Sequence, residues 1–542
     1  MISLTSRLRT VTDWLLLAGF CAFLFFYGLG SFGLIGADEP RYAQVAREML
    51  ERHDWVTPTL GGVAWLEKPP LYYWEAMLSY RIFGVSDWAA RIPSAFDATL
   101  MVFAVYFFLR RFRPGAHLDG ALMTASLAGV IGFARAASTD MPLTAMLSIA
   151  LIAWYAWHES QDSRCLALAY GFLGFAMLAK GPVAPFLAAV IVGGFAFAKG
   201  KLDLIRRSLW LPGVAIFVLI AAPWFIAVQV KNPQFFREFI LEHNLARFGT
   251  NLYHHPEPFW YYLPVMLLGL IPWTALILAA VWETVRVWLR EKREMLASED
   301  GLSVFLLIWL LVPLVFFSLS QSKLPGYIVP ALPAGGLLLA EFARRSTAHE
   351  RRSSRLWIVA HSVVAASPIV PSLMIIYLLQ QHRLPWNRAT EVSCVLAAIL
   401  ATGMAYTILK PAGMRWLRFV TLIPVVLSVA ALLQIGAPAL DGELSARPLL
   451  NDIARLEDVN ALPPLAVFAV PRETEYGLAF YRNQVLLQYK PGQLPPETHI
   501  VVTPQAARDL IRRVLRNRRV SYLGTFRPQN MDYYWVAQAG AY

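Results

Sequence analysis

WLLLAGFCAFLFFYGLGSFGLI, residues 14–35, is apolar almost throughout and long enough to cross a hydrocarbon core of about 30 Å. It is too long for the core of a signal peptide, and no A-x-A-like site follows it, so it is expected to be a retained span. Blocks of the same kind recur along the chain, at 92–109, 119–135, 140–157, 165–179, 182–198, 209–229, 259–282, 302–319, 325–342, 356–379, 391–408 and 417–436. With the first, taken as 13–35, they make thirteen expected spans. Hydrophobic residues reach 57% and charged residues only 15%, against roughly 25% charged in soluble domains. The expected fold is a polytopic α-helical membrane protein.

The net charge of +12 does not point to nucleic acid, because Lys and Arg sit in short loops between apolar blocks and form no basic domain. With the N-terminus in the cytoplasm, about 22 basic residues fall in cytoplasmic loops and about 14 in the longer loops opposite, as the positive-inside rule expects. Segments 36–91 and 230–258 then lie outside, and so does the tail. Cys21, Cys165 and Cys394 lie inside apolar blocks with no metal-type spacing, and read as small buried hydrophobes.

The tail differs in kind. Short β-like runs at 465–470, 484–489, 499–504 and 533–537 alternate with an amphipathic helix at 506–515. The expected division is a transmembrane catalytic domain, 1–438, and a small α/β domain, 439–542.

Five polar clusters fall on the outer side. ADEPRYAQVAREMLERHDW, 37–55, places Asp38, Glu39 and Arg41 directly after a span. Tyr42, Val45, Ala46 and Met49 recur in it at helical spacing, which predicts an amphipathic helix on the membrane surface. The plainer structural reading makes Asp38 a helix cap. WLEKPPLYYW, 65–74, joins Glu67 and Lys68 to two prolines and an aromatic belt; the lysine can hold a phosphate. STDMP, 138–142, carries Asp140, for which capping is the cheaper explanation. EHNLARFGTNLYHHPEPFWYYLP, 242–264, carries Arg247, His254 and His255. SQSKLPGYIVP, 320–330, carries Lys323 and Tyr327, with Lys323 more simply a snorkelling residue. Carboxylates, cations and aromatics on one side of a helical bundle suit sugar transfer from a lipid phosphate. A carboxylate orients the acceptor and cations stabilise the departing phosphate. A transporter or flippase for a lipid-linked sugar would share the cations and aromatics but not the need for two acids, and is expected to show internal repeats, none of which is visible. A scaffold would explain the spans but not the charged loops.

DEPRY (38–42) with REML (47–50), EKPPLYYW (67–74), STDMP (138–142), HHPEPFWYYLP (254–264) and SKLPGYIVP (322–330) together resemble the bacterial GT-C glycosyltransferases of the lipid A aminoarabinose transferase type and, more distantly, protein O-mannosyltransferases. The resemblance covers roughly the first 340 residues, with DEPRY standing where DETRY is usual. It implies an undecaprenyl-phosphate-linked sugar donor, a lipid A phosphate or another periplasmic glycan or protein as acceptor, and transfer on the periplasmic face of the inner membrane. It implies Asp38 as principal catalytic carboxylate and Asp140 as second essential acid. Arg41, Lys68 and Arg247 would hold the lipid phosphate, with Tyr327 lining the cavity. Tyr42 and Lys323, their neighbours, are counted with the donor-binding residues. Glu67 and His255 fall at positions that can bind zinc or another divalent cation.

Overall fold

A computed structural model of the chain describes residues 4–239, 257–290, 301–348, 361, 414–456, 463–489 and 494–538. The twelfth expected span, all of the eleventh but residue 361, and Arg247, His254 and His255 lie outside the described residues. The chain divides into two compact units. One comprises Met1–Tyr27, Leu66–Tyr72 and Ile92–Ala431; the other comprises Gly28–Trp65, Tyr73–Arg91 and Leu432–Tyr542.

The first unit is helical. Its elements are α1 (Leu4–Cys21), most of α4 (Asp87–Phe112), α5 (His117–Ala125), α6 (Ala128–Ala134), α7 (Asp140–Ser160), α8 (Ser163–Lys180), α9 (Val183–Ala198), α10 (Asp203–Ser208), α11 (Leu211–Lys231), α12 (Tyr262–Gly269), α13 (Thr274–Arg290), α14 (Leu302–Ser318), a 3₁₀ helix (Pro325–Ala331), α15 (Leu332–Ala348) and α16 (Met414–Ala431). Among the described residues four helical stretches are long and apolar enough to cross a membrane, or up to seven if each bent pair is one span. The chain is a membrane protein. Helix α7 is enclosed by protein along 94% of its apolar window and packs against α8 and the 3₁₀ helix. It can therefore carry Thr144 and Ser148, both fully buried, where a lipid-facing helix would not.

Three blocks differ from expectation. The first stops being helical after a π turn at Ala22–Phe26, well short of Ile35. Arg91 binds the carbonyls of Leu29, Phe32 and Gly33 in the second unit, an alternative to the helical ladder for this glycine-rich stretch. The third block is α5 and α6 bent by 64°, and the eighth is α12 and α13 bent by 112°. These two breaks satisfy one another. Ala128 N–H donates to the Ile271 carbonyl at 2.8 Å, and Trp273 Nε1 donates to Ser126 Oγ at 2.8 Å. Apolar surroundings make such partners obligatory for a broken helix.

The second unit contains the expected tail and also takes in the loop after the first span. Its sheet has the order β4 (Leu487–Gln488), β3 (Leu465–Val467), β5 (His499–Pro504), β7 (Met531–Val536), β6 (Val520–Phe526). β3 pairs in parallel with both neighbours, while β5–β7 and β6–β7 are antiparallel. Strand alternation sends Ile500 and Val502 to one face and Val501 to the other. The first face is covered by α18 (Ala446–Ala454), which follows α17 (Ala437–Leu444), and by α19 (Arg472–Arg482); the second is covered by α20 (Arg508–Val514). Sequence reading anticipates β3, β4, β5, β7 and α20. It misses β6, whose pattern is interrupted by a register shift between Tyr522 and Gly524, and α19, whose first turn is polar.

The loop segment supplies α2 (Asp38–Glu51), a hairpin of β1 (Thr59–Leu60) and β2 (Val63–Ala64), and the body of α3 (Leu71–Phe83). The two-residue hairpin loop is Gly61-Gly62, both at positive φ, as its tight geometry requires. Glu48 on α2 accepts from both glycine amides and from Thr59 Oγ1. Helix α2 forms where its apolar spacing predicts, but its apolar face is not free to lie on lipid. Tyr42, Val45, Ala46 and Met49 are each 3% exposed or less, and α2 packs against α19.

Two buried groups give the second unit a pH dependence. Asp532 accepts from Arg508 Nε and Nη2 at 2.7 and 2.9 Å and from Thr525 Oγ1. Burial pushes its pKa up, but these bonds outweigh it and hold the carboxyl below its ordinary range. His499 Nδ1 donates to the Glu497 carbonyl at 2.7 Å, which leaves Nε2 to accept from Tyr489 OH at 2.6 Å. Burial, with Arg518 nearby, lowers the His499 pKa. Both folded values lie below their unfolded ones, so stability is present at neutral pH and lost as pH falls. The His499 part goes first, from about pH 6.5 downward; the Asp532 part follows below about pH 4. Hydrogen-exchange protection of β5 in the full-length protein, corrected for intrinsic rates, is expected to drop between about pH 7 and pH 5. A His499→Gln variant should lose that pH dependence.

Candidate active site

In the helical unit, Asp140 opens α7. Its backbone N–H donates to Ser138 Oγ, and its carbonyl accepts from Thr144 Oγ1. The carboxylate does not cap its own helix. It is ion-paired with Lys180, the last residue of α8; the two side chains are 14% and 11% exposed. Gly181, at φ +85°, ends α8 just after Lys180. The Lys180 ammonium also lies 4.9 Å from the centre of the Tyr327 ring, a cation–π contact. Tyr327 in turn lies tilted against Phe317, with ring centres 5.2 Å apart.

The SKLPGYIVP turn is fixed from two sides. Tyr262 OH exchanges hydrogen bonds with Leu324 N and O, both at 3.1 Å, which ties the FWYYLP stretch to it. Lys323 is buried, and its ammonium donates to the carbonyls of Ser320 and Glu257 at 2.5 and 3.0 Å. It does not snorkel, and two of its three donors are spent on backbone, which makes it a lock for the turn rather than an open cation. The turn presents Gly326 to Asp140: a Cβ there would stand 2.6 Å from the carboxylate carbon and 2.6–2.7 Å from its oxygens. Glu67 and Lys68 are half-buried just before α3.

In the second unit, Asp38 and Arg41 form an i,i+3 pair on the first turn of α2, Nη2 to Oδ1 at 2.5 Å. Asp38 keeps 46% of its side chain exposed, whereas Arg41 keeps 13%. The Arg41 guanidinium is framed by Tyr42, Trp65 and Tyr476 at 5.1, 5.3 and 5.9 Å. Glu39, the next residue after Asp38, turns inward. It meets the buried Arg91 through a fork of bonds at 3.0 and 2.7 Å and accepts from Ile35 N. The two acids of DEPRY thus divide their work: Glu39 anchors and Asp38 faces out.

Sequence reasoning overlooked Lys180, Gly326, Arg91 and Tyr476. Lys180 had a signal, a lysine at the end of an apolar block on the side expected to face outward. The others act through residues distant in sequence. Among the described residues no three His, Cys, Asp or Glu side chains gather as a metal group. Of the pair that the resemblance implies for a divalent cation, Glu67 is described and His255 lies outside the described residues.

Comparison with known proteins follows the same lines. The family signature of dolichyl-phosphate-mannose-protein mannosyltransferases matches residues 67–226. Among solved structures, ArnT from Cupriavidus metallidurans, crystallised with undecaprenyl phosphate, is similar over 97% of this chain and 98% of its own, at TM-score 0.76 and 22% identity. The archaeal oligosaccharyltransferase AglB from Archaeoglobus fulgidus is similar at TM-score 0.52 and 12% identity, over 93% of this chain and 70% of its own. The fold is that of the GT-C membrane glycosyltransferases. In sequence, the undecaprenyl phosphate-alpha-4-amino-4-deoxy-L-arabinose arabinosyl transferase 2 of Pseudomonas fluorescens is 31% identical over 419 residues, 75% of this chain and 69% of the relative. The corresponding transferase of Pseudomonas savastanoi pv. phaseolicola is 32% identical over 393 residues, 71% of each. The chain belongs to this family of arabinosyl transferases.

Proposed function

We propose that the protein moves 4-amino-4-deoxy-L-arabinose from undecaprenyl phosphate to a phosphate of lipid A, at the periplasmic face of the inner membrane. Membership of the arabinosyl transferase family supports the donor and the sugar. The observation that carries the chemistry is the pairing of each acid with a cation beside aromatic rings: Asp38 with Arg41, and Asp140 with Lys180. In the reaction, an oxygen of the acceptor phosphate bonds to the anomeric carbon. The bond from that carbon to the donor phosphate oxygen breaks, and undecaprenyl phosphate leaves with the electron pair. The acceptor is already anionic, so Asp38 orients it and balances charge rather than taking a proton. Arg41 is assigned to the departing phosphate, where a fixed cation offsets the developing charge. Thirteen spans, outer loops 36–91 and 230–258, and an outward-facing tail complete the proposed topology.

Mass spectrometry of lipid A tests this directly. A pentosamine-sized increment is expected in cells that make the protein and absent in cells that lack it or carry Asp38→Ala. Asp38→Asn should retain measurable transfer to phosphate. A hydroxyl acceptor needs a true base, and with it the same change would cost about 10²–10⁴-fold. Lipid A unchanged by loss of the protein would overturn the acceptor assignment.

A further inference from the structure

Helix α19 of the tail does more than complete a hydrophobic core. Arg47 of α2 donates to the Phe480 carbonyl at 3.0 Å, and Asn483 donates to Glu51 at 3.3 Å. These bonds hold α2 along α19. Gly477 allows α19 itself to sit against α18, since a Cβ there would meet the Ala446 methyl at 2.6 Å. The residue before that glycine, Tyr476, places its ring 5.9 Å from the Arg41 guanidinium. Tyr42 and Trp65 take up two further positions around the same group. Rings over a planar guanidinium restrict it to its edges for hydrogen bonding, and one edge nitrogen meets Asp38.

We propose that Tyr476 is a positioning residue for glycosyl transfer. The tail, through this ring, holds the Arg41 guanidinium in the plane from which it serves Asp38 and the donor phosphate. The C-terminal region is thereby a working part of the active unit. The inference rests on the assignment of Arg41 to the donor phosphate.

The test is steady-state kinetics of the full-length protein in detergent, with undecaprenyl-phosphate aminoarabinose varied at fixed lipid A. Tyr476→Ala is expected to raise the donor KM roughly five- to thirtyfold, with kcat changed less than about threefold. Tyr476→Phe keeps the ring and should stay within about twofold of the parent. In an Arg41→Ala background, Tyr476→Ala should add nothing further, which a loss of folding alone would not reproduce. A parent-like donor KM in Tyr476→Ala overturns the proposal. If Arg41→Ala raises the donor KM and Tyr476→Ala does not, the positioning role falls and the site assignment stands. If neither variant raises it, both fall.

Discussion

Gly326→Ala should leave the protein folded and reduce sugar transfer by about a hundredfold, the cost of roughly an ångström of misplacement of Asp140, the proposed second acid. Gly326 does not occupy the left-handed region, so alanine meets no backbone objection there. An added methyl also removes freedom from the unfolded chain, which favours folding slightly. The objection is local: the new Cβ would lie 2.6–2.7 Å from the carboxylate of Asp140. That carboxylate is the far end of a side chain and can swing aside cheaply, so the cost falls on its position rather than on stability. Swinging aside pulls it from Lys180, whose ammonium is also set over Tyr327. Activity of purified Gly326→Ala, measured beside its thermal midpoint, checks this. Transfer within twofold of the parent at an unchanged midpoint would show that the carboxylate has room to spare. The double variant with Asp140→Asn should be no worse than Asp140→Asn alone, because both act through one group.

That glycine also illustrates where sequence reading ends. The motif SKLPGYIVP is legible as a turn, and Lys323 and Tyr327 stand out in it as chemistry. Nothing local tells that the glycine makes room for an acid in STDMP, or that Lys323 is turned inward onto carbonyls. Periodic features fare better. The spacing of Tyr42, Val45, Ala46 and Met49 gives α2, and alternation gives β5 and β7, because each pattern is written within a few neighbouring residues. What covers those faces is not written there. The face of α2 reads as a membrane-surface helix, yet it is buried within its unit and packs against α19, more than 400 residues along. Lys180 lies 40 residues from Asp140, and a lone lysine at the end of an apolar block has an ordinary explanation at a helix C-terminus. Membrane spans are the most legible feature of all, but the composition that marks them is blind to bends, as the third and eighth blocks show.

Arg91→Leu is expected to be the most damaging single change outside the reacting groups, costing about 3–5 kcal/mol. Arg91 is 1% exposed, and the Glu39 side chain it faces is 8% exposed. Its guanidinium spends its donors completely: two on the Glu39 carboxylate and three on the carbonyls of Leu29, Phe32 and Gly33 at 2.7–2.8 Å. The Phe32 ring lies 4.7 Å from its centre. Removing the arginine leaves a carboxylate buried without its countercharge and three carbonyls without donors. Lysine should not rescue it, since a point ammonium with three donors cannot span five acceptors arranged around a planar fork. Glu39→Gln should cost less, because the amide oxygen still accepts and the carbonyl contacts of Arg91 survive. The Arg447 contacts with Asp87 and Asp441, at 2.6 and 2.8 Å, offer an internal control. There the arginine is 25% exposed, so water can replace part of what is lost and Arg447→Leu should be milder. The order of thermal midpoints in detergent, parent above Arg447→Leu above Arg91→Leu, tests the account; Arg91→Leu at or above Arg447→Leu would contradict it. The functional consequence follows from adjacency. Glu39 is the neighbour of Asp38, and the strand of carbonyls held by Arg91 is the path by which the chain leaves its first span and enters α2. Loosening that anchor releases the helix turn that carries both Asp38 and Arg41, so activity should fall even in protein that survives purification.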